Sequence, residues 1–335
     1  MSKNLNSKTV VLSSLEIKAS EAEMTTWHGR EALRLENGLA LAPDGLLFQD
    51  ICLEVSISVE GPAYPGLIFR LADPDSYELA YAVPHASEQW DAIQYDPIFL
   101  GSNTWQVYFG AAYQTAAKVP SGDWFRLRVQ ASGQRAAIFV NEQAPLVVEK
   151  LAHPAQPGRF GLWTFRPAYF CDLSVSTRSE MNIPSGVFPS SPPGALDGWW
   201  LQGFGLVNCE PHGVLNLNRY LNTEQSPAML TRQFDLEADG QVSFQIGFSD
   251  SLNLLLDGQE LFCGERRFSG FANRTERGYA DSGDFQIQKY LSAGRHTLTA
   301  QVDVQEPFGW GLALVVHAAG LRWLPPAIVP NAAVL

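Results

Sequence analysis

Between positions 70 and 105 the chain gathers side chains suited to holding a sugar: Arg70, Glu78, Tyr81, His85, Asp91, Gln94, Tyr95 and Trp105. A pyranose presents an apolar C–H face and an array of hydroxyls. A site for it therefore needs flat aromatic rings and planar hydrogen-bonding groups, and this stretch supplies both. Cleaving a glycosidic bond needs in addition two carboxyls, about 5–5.5 Å apart for retention and about 6.5–9.5 Å apart for inversion. Glu78 and Asp91 are the pair available for that chemistry. The competing explanation is structural: Tyr77, Tyr81, Tyr95 and Trp105 as core aromatics, with Arg70 and Glu78 as a cross-strand ion pair.

Other chemistries find no motif. The sequence holds no Gly-x-Ser-x-Gly elbow, no Gly-Lys-Ser/Thr phosphate loop, no His-Glu-x-x-His and no dinucleotide-type Gly-x-Gly-x-x-Gly after a strand. The six histidines (28, 85, 153, 212, 296 and 317) lack ligand spacing. Cys52, Cys171, Cys209 and Cys263 lie tens of residues apart, which excludes a zinc motif and leaves buried thiols or a disulfide as the alternatives. Calcium is the one cofactor with candidate ligands, at Asp73/Asp75 and Asp281/Asp284, where solvated turns are the commoner explanation.

Lys and Arg total 23 against 35 acids, a formal net charge of −12 with no basic run, so a nucleic-acid partner is not expected. No run of about 18 apolar residues could cross a bilayer as a helix. Val10–Leu15 is too short and Ser-rich for a signal-peptide core, so the expected location is cytoplasmic. Oligomeric state stays open.

At 335 residues the chain suggests two domains. The Pro/Ser/Gly tract over 178–197 reads as a linker between residues 1–177 and 198–335. On both sides short alternating apolar runs recur every 8 to 12 residues between turn residues, predicting two all-β sandwiches of jelly-roll type. Leu53, Val55, Ile57 and Val59 alternate with polar residues as a half-buried strand. Hairpins are expected around Asp73-Pro74-Asp75, around Ser132-Gly133 and, most clearly, around Asp257-Gly258. Centring the first on Pro74 sets Arg70 opposite Glu78, Phe69 opposite Leu79 and Ile68 opposite Ala80. Further strands are expected over 231–236, 241–248, 252–256, 285–291 and 296–304, and one short helix over Ser20–Met24.

The succession Gly66-Leu-Ile-Phe-Arg, Ser76-Tyr-Glu-Leu-Ala-Tyr-Ala-Val-Pro-His, Asp91-Ala-Ile-Gln-Tyr-Asp-Pro, Trp105-Gln-Val-Tyr, Trp124-Phe-Arg-Leu-Arg-Val and Gly158-Arg-Phe-Gly-Leu-Trp resembles the laminin-G-like branch of the concanavalin A-like lectin/glucanase jelly rolls, over residues 56–176. Such families hold lectins, carbohydrate-binding modules and glycoside hydrolases, so the resemblance implies a fold and a ligand class more than a reaction. The Glu-x-Asp-x-x-Glu strand of laminarinase-type glucanases is missing here. Residues 197–323 resemble the galactose-binding-like β-sandwiches, through Gly247-Phe-Ser-Asp-Ser-Leu-Asn-Leu-Leu-Leu-Asp-Gly, Leu261-Phe-Cys-Gly, Tyr290-Leu-Ser-Ala-Gly-Arg-His-Thr-Leu and Phe308-Gly-Trp-Gly. There Asp250, Asn253 and Trp310 are weighed as a loop-end site against a hairpin Asn and a packing Trp. Trp199-Trp200 suggests a plug between the domains.

The expectation is a lectin-like protein that binds a glycan, or another small molecule, in an aromatic and polar cleft of its N-terminal jelly roll. One rival is an enzyme on the same scaffold, a glycoside hydrolase using Glu78 and Asp91 or a small-molecule-converting enzyme. The other is a structural or protein-interaction sandwich.

Overall fold

The computed structural model describes residues 8–177 and 181–327. Every extended element in it is β and the only helices are 3-10 turns of three residues. The chain divides into two compact units, Met1–Gly101 with Tyr108–Phe188, and Ser102–Val107 with Pro189–Leu335. Within the range read as a linker, Val187 bridges Val148 in the first unit, while Ala195 bridges Val315 in the second.

The first unit runs β1 (Lys8–Thr9), β2 (Glu16–Trp27), β3 (Arg30–Leu41), β4 (Ile51–Ser58), β5 (Tyr64–Asp73), β6 (Ser76–Ala82), β7 (Ile93–Tyr95), β8 (Gln114–Thr115), β9 (Phe125–Ser132), β10 (Arg135–Val140), β11 (Leu146–Val148), β12 (Arg159–Phe165) and β13 (Ala168–Ser176). They hydrogen-bond in the order β11-β10-β9-β4-β13-β3-β12-β5-β6-β7-β8, with β2 along β3 and β1 on β13. The long strand β3 joins two layers, pairing β13 through residues 33–35 and β12 through 38–41. Strands that change sheets in this way make the corners of sandwiches. At the change, a Cβ on Gly38 would stand 2.2 Å from the Lys18 carbonyl oxygen. Alternation holds in β4, where Leu53, Val55 and Ile57 are fully buried.

Two sequence expectations change here. Ser20–Met24 is the middle of β2, with Glu21–Met24 paired to Leu33–Glu36 of β3, instead of a helix. His28 and Gly29, both at positive φ, close a two-residue hairpin, and an isolated helical turn cannot compete with a full ladder of cross-strand bonds. In the β5–β6 hairpin Asp73 faces Ser76, but beyond a bulge Phe69 faces Glu78 and Ile68 faces Leu79, so the expected Arg70–Glu78 register is off by one. Arg70 sits in the bulge at φ 54°. Across it β5 carries three residues, 70–72, against Tyr77 alone on β6, and this irregularity turns the Arg70 side chain out of the strand's alternation.

The second unit runs β14 (Gly198–Leu201), β15 (Gly205–Asn208), β16 (Val214–Asn216), β17 (Ala228–Leu236), β18 (Gly240–Phe248), β19 (Asp250–Leu256), β20 (Gln259–Arg266), β21 (Phe285–Leu291), β22 (Gly294–Asp303), β23 (Gly311–His317) and β24 (Leu321–Trp323). One sheet follows β15-β14-β17-β22-β19-β20, with β24 on β17, and the other β16-β23-β18-β21. Trp199, Phe234, Phe244, Phe248 and Trp310 are buried in its core. Trp199 is thus core in its own unit, not the plug the sequence suggested, and Trp200 is half-buried. Asp257 and Gly258 both take positive φ, as a type I′ turn requires. All four cysteines are free thiols.

Ser102–Val107 is integral to this second unit. The Gln106 N–H donates to the Phe308 carbonyl at 3.0 Å, its carbonyl accepts from Ala280 N–H at 2.9 Å, and its side-chain amide donates to the Arg277 carbonyl at 3.0 Å.

Candidate functional site

The pleat of β6 sorts the sequence-predicted residues into two sets. Glu78 points to one face, Tyr81 to the other, because successive side chains alternate. On the Glu78 side lies a closed ionic network. Glu78 is fully buried and its Oε2 accepts from the Tyr95 hydroxyl at 2.5 Å. Its Oε1 accepts from the His153 backbone N–H at 3.1 Å, and the Tyr95 oxygen in turn accepts from Ala152 N–H at 2.7 Å. Arg70, 2% exposed, donates from Nε to the Gln49 carbonyl at 2.8 Å and from Nη2 to the Gly133 carbonyl at 2.6 Å. Burial pushes the Tyr95 hydroxyl well above its ordinary pKa, and Glu78 adds to the shift. Burial lowers that of Arg70, while Glu78 and Asp50 pull it back up. Asp91 is buried as well, at 2% exposure. Neither carboxyl proposed for hydrolysis is at the surface.

The opposite face is different. Trp163 on β12 faces Gly66 on β5, Gly66 faces Tyr81 on β6, Tyr81 faces Gln94 on β7, and Gln94 faces Gln114 on β8, so one row of residues crosses five strands on a single face. The adjacent row sets Phe165 opposite Tyr64. Gly66 is required: a Cβ there would lie 2.6 Å from the Ala80 carbonyl oxygen and 2.8 Å from the Tyr81 Cβ. Across the gap it leaves, the Trp163 and Tyr81 rings approach to 5.6 Å. Tyr64 contacts Tyr81 at 6.1 Å, His85 at 4.9 Å edge-on and Phe165 at 6.0 Å. Tyr64 and Trp163 are half-buried, His85 is exposed, and Phe165 is 50% exposed. Beside the rings, Gln94 Oε1 accepts from the Tyr81 hydroxyl and from Gln114 Nε2, both at 3.2 Å.

Of the eight predicted residues this face holds Tyr81, His85 and Gln94. Sequence reasoning missed Tyr64, Trp163 and Phe165. The available signal was the i, i+2 spacing of Trp163 and Phe165 at the end of a strand, and of Tyr64 and Gly66 at the start of another.

No family model matches the chain, and no curated protein matches it. Among solved structures the chain is similar to a carbohydrate-binding module CBM66 from Bacillus subtilis, at 16% identity over 47% of this chain and 92% of that one, TM-score 0.36. It is also similar to a protein of unknown function with a galectin-like fold from Bacillus subtilis (12%, 50% and 91%, 0.37) and to a Bacillus licheniformis beta-glucanase (9%, 53% and 100%, 0.33).

The remaining predicted residues lie elsewhere. Trp105 belongs to the second unit, where it contacts Phe308 at 5.3 Å, Phe268 at 5.9 Å and Tyr279 at 6.0 Å. It leaves the N-terminal cleft because its neighbour Gln106 is hydrogen-bonded on three sides inside that unit. Trp310 is a fully buried packing residue whose Nε1 donates to the Val302 carbonyl at 3.2 Å. Asn253 is a half-buried β19 residue opposite Cys263 and Gln301. The carboxylates considered for calcium serve their own turns: Asp73 Oδ1 accepts from Asp75 N–H, Asp281 Oδ1 from Gly283 N–H, and Asp284 pairs with Arg266 at 3.0 Å. Among the described residues no three His, Cys, Asp or Glu side chains gather as a metal site, and no helix is long and apolar enough to cross a membrane.

Proposed function

We propose that the first unit binds a saccharide on the sheet face formed by Tyr64, Trp163 and Phe165, with Tyr81, His85 and Gln94 beside them. The observation that carries this reading is the adjacency of three partly exposed rings from two strands, beside a ladder of side-chain amides. Rings of this kind cover the C–H face of a pyranose and lose little rotamer freedom on binding, and the exposed His85 beside Tyr64 is the polar group placed to orient it, while Tyr81, Gln94 and Gln114 are buried and support the row. The resemblance of residues 56–176 to lectin-type jelly rolls supports the same ligand class. Binding is favoured over hydrolysis because Glu78 and Asp91 are buried, and Glu78 already accepts from Tyr95 and His153.

Calorimetry and thermal unfolding of the full chain across neutral and acidic oligosaccharides test the proposal. At a hundred times its dissociation constant a bound sugar stabilises the protein by about 2.7 kcal/mol. The expected result is such a stabilisation with at least one saccharide, abolished in Trp163→Ala with the fold intact. No response to any sugar, or an unchanged response in that variant, overturns the assignment.

A further inference from the structure

Asp250 opens β19 in the second unit with no exposed surface and a φ of 69°. Its Oδ1 accepts two backbone N–H groups, from Gln305 at 3.0 Å and Glu306 at 2.9 Å. Its Oδ2 is buried and accepts no hydrogen bond. A carboxylate half-satisfied in this way is costly as an ion and far less so when the second oxygen carries a proton.

The charged neighbours offer little relief. Arg266, directly across the ladder from Asp250, is engaged by Asp284 at 3.0 Å. Arg267, exposed, donates to Glu265 at 3.1 Å. Asp303, across from Ser251, accepts from Gln301. Glu306 brings a like charge on the same segment that Asp250 holds, and its Oε2 accepts from Phe268 N–H at 2.7 Å. The segment ends at Phe308, which contacts Trp105 and Phe268.

We propose that Asp250 is a protonation-controlled latch on residues 304–308: neutral, it holds the segment closed; ionised, it favours an opening that brings water to its second oxygen. The geometry is reinforced by burial, which raises the Asp250 pKa to about 7 from an ordinary 3.8: desolvation, with the Glu306 charge adding to it, outweighs the Gln305 and Glu306 N–H bonds and the Arg267 charge, which lower it. The sign follows from linkage. A group that binds its proton more tightly closed than open makes the opening constant rise by about tenfold per pH unit between the open and closed pKa values, then level off. Opening is rarest in acid and reaches its ceiling near neutrality.

Amide hydrogen exchange of the full chain from pH 4.5 to 8.5, divided by the intrinsic chemical rate, tests this. Gln305 and Glu306 report the segment, and Phe244 and Leu314 in the core serve as references. The expected result is an opening constant for the first two that climbs about tenfold per pH unit and flattens near pH 7, with flat references. In Asp250→Asn the dependence should vanish. A flat wild-type profile, or an Asn variant with the wild-type slope, overturns the latch. Should that variant not fold, Glu306→Gln retains an acceptor for Phe268 and removes only the like charge. It must move the flattening point to lower pH, and an unmoved point counts against the proposal.

Discussion

The two faces of β5 and β6 differ in their side chains and in what those side chains do. Towards the interior, Arg70, Glu78 and Tyr95 form an ionic network with defined hydrogen-bond partners and almost no exposed surface. Three residues along the strand from Glu78, Tyr81 sits in the row with Trp163 and beside Tyr64, and the Trp163 and Tyr64 rings reach solvent. A carboxylate with both oxygens occupied by its own protein contributes to folding and has nothing left for a ligand. The Tyr64 and Trp163 rings pack partly against the buried cluster around Tyr81 and, with the exposed Phe165, keep part of their surface at solvent.

Glu78→Ala should separate the two faces most sharply. It removes one of the two carboxylates that favour the buried Arg70 charge, leaving Asp50 at 3.7 Å, and takes away the acceptor of the Tyr95 hydroxyl and the His153 N–H, which together cost about 3–5 kcal/mol. The midpoint of urea unfolding should fall accordingly, and any loss of sugar binding should follow the loss of fold. Trp163→Ala should do the reverse. Binding is expected to weaken by about 2 kcal/mol, roughly thirtyfold, with a smaller change in the unfolding midpoint. If Glu78→Ala folds normally yet fails to bind, the division between the faces is wrong.

Gly66→Ala tests the gap within the aromatic row. The added methyl collides with the Ala80 carbonyl and the Tyr81 Cβ, so a destabilisation of about 1–3 kcal/mol should accompany weaker sugar affinity, measurable on one sample by unfolding and calorimetry.

The smallest effect lies in the second unit. His296 Nδ1 lies 2.7 Å from Asp257 and Nε2 lies 2.9 Å from the Ser292 carbonyl. Burial opposes its charge, but the Asp257 and Ser292 hydrogen bonds outweigh that, so its folded pKa is raised above the ordinary 6.5. The stabilisation is therefore fully present below pH 6.5 and is lost as pH rises through the folded value. His296→Gln should lower stability by about 1 kcal/mol at pH 5.5 and by less at pH 8.5, with sugar affinity unchanged.

Much of this arrangement could be read from residue order. The all-β character, the alternation of β4, the Asp257-Gly258 turn and the β21 bounds follow from period-two patterning and turn chemistry, which are local. Parity at Arg70 could not be read, because it depends on a bulge. Opposite that bulge Gly158 lies so close that a Cβ would stand 2.3 Å from the Arg70 carbonyl carbon, a constraint arriving from 88 positions away. The aromatic face was only partly legible for a similar reason. Trp163 and Tyr81 are 82 positions apart and become neighbours through pairings of β12 with β5 and β5 with β6, and no short window contains both.

The three hydrogen bonds of Gln106 have a genetic consequence. The second unit is not written as one uninterrupted stretch of coding sequence, because six of its residues are encoded inside the span of the first. Recombination that copies codons 189–335 alone would leave Ala280 N–H and the Arg277 and Phe308 carbonyls without the partners Gln106 supplies. A transplanted second unit would therefore have to carry residues 102–107 with it to keep those bonds.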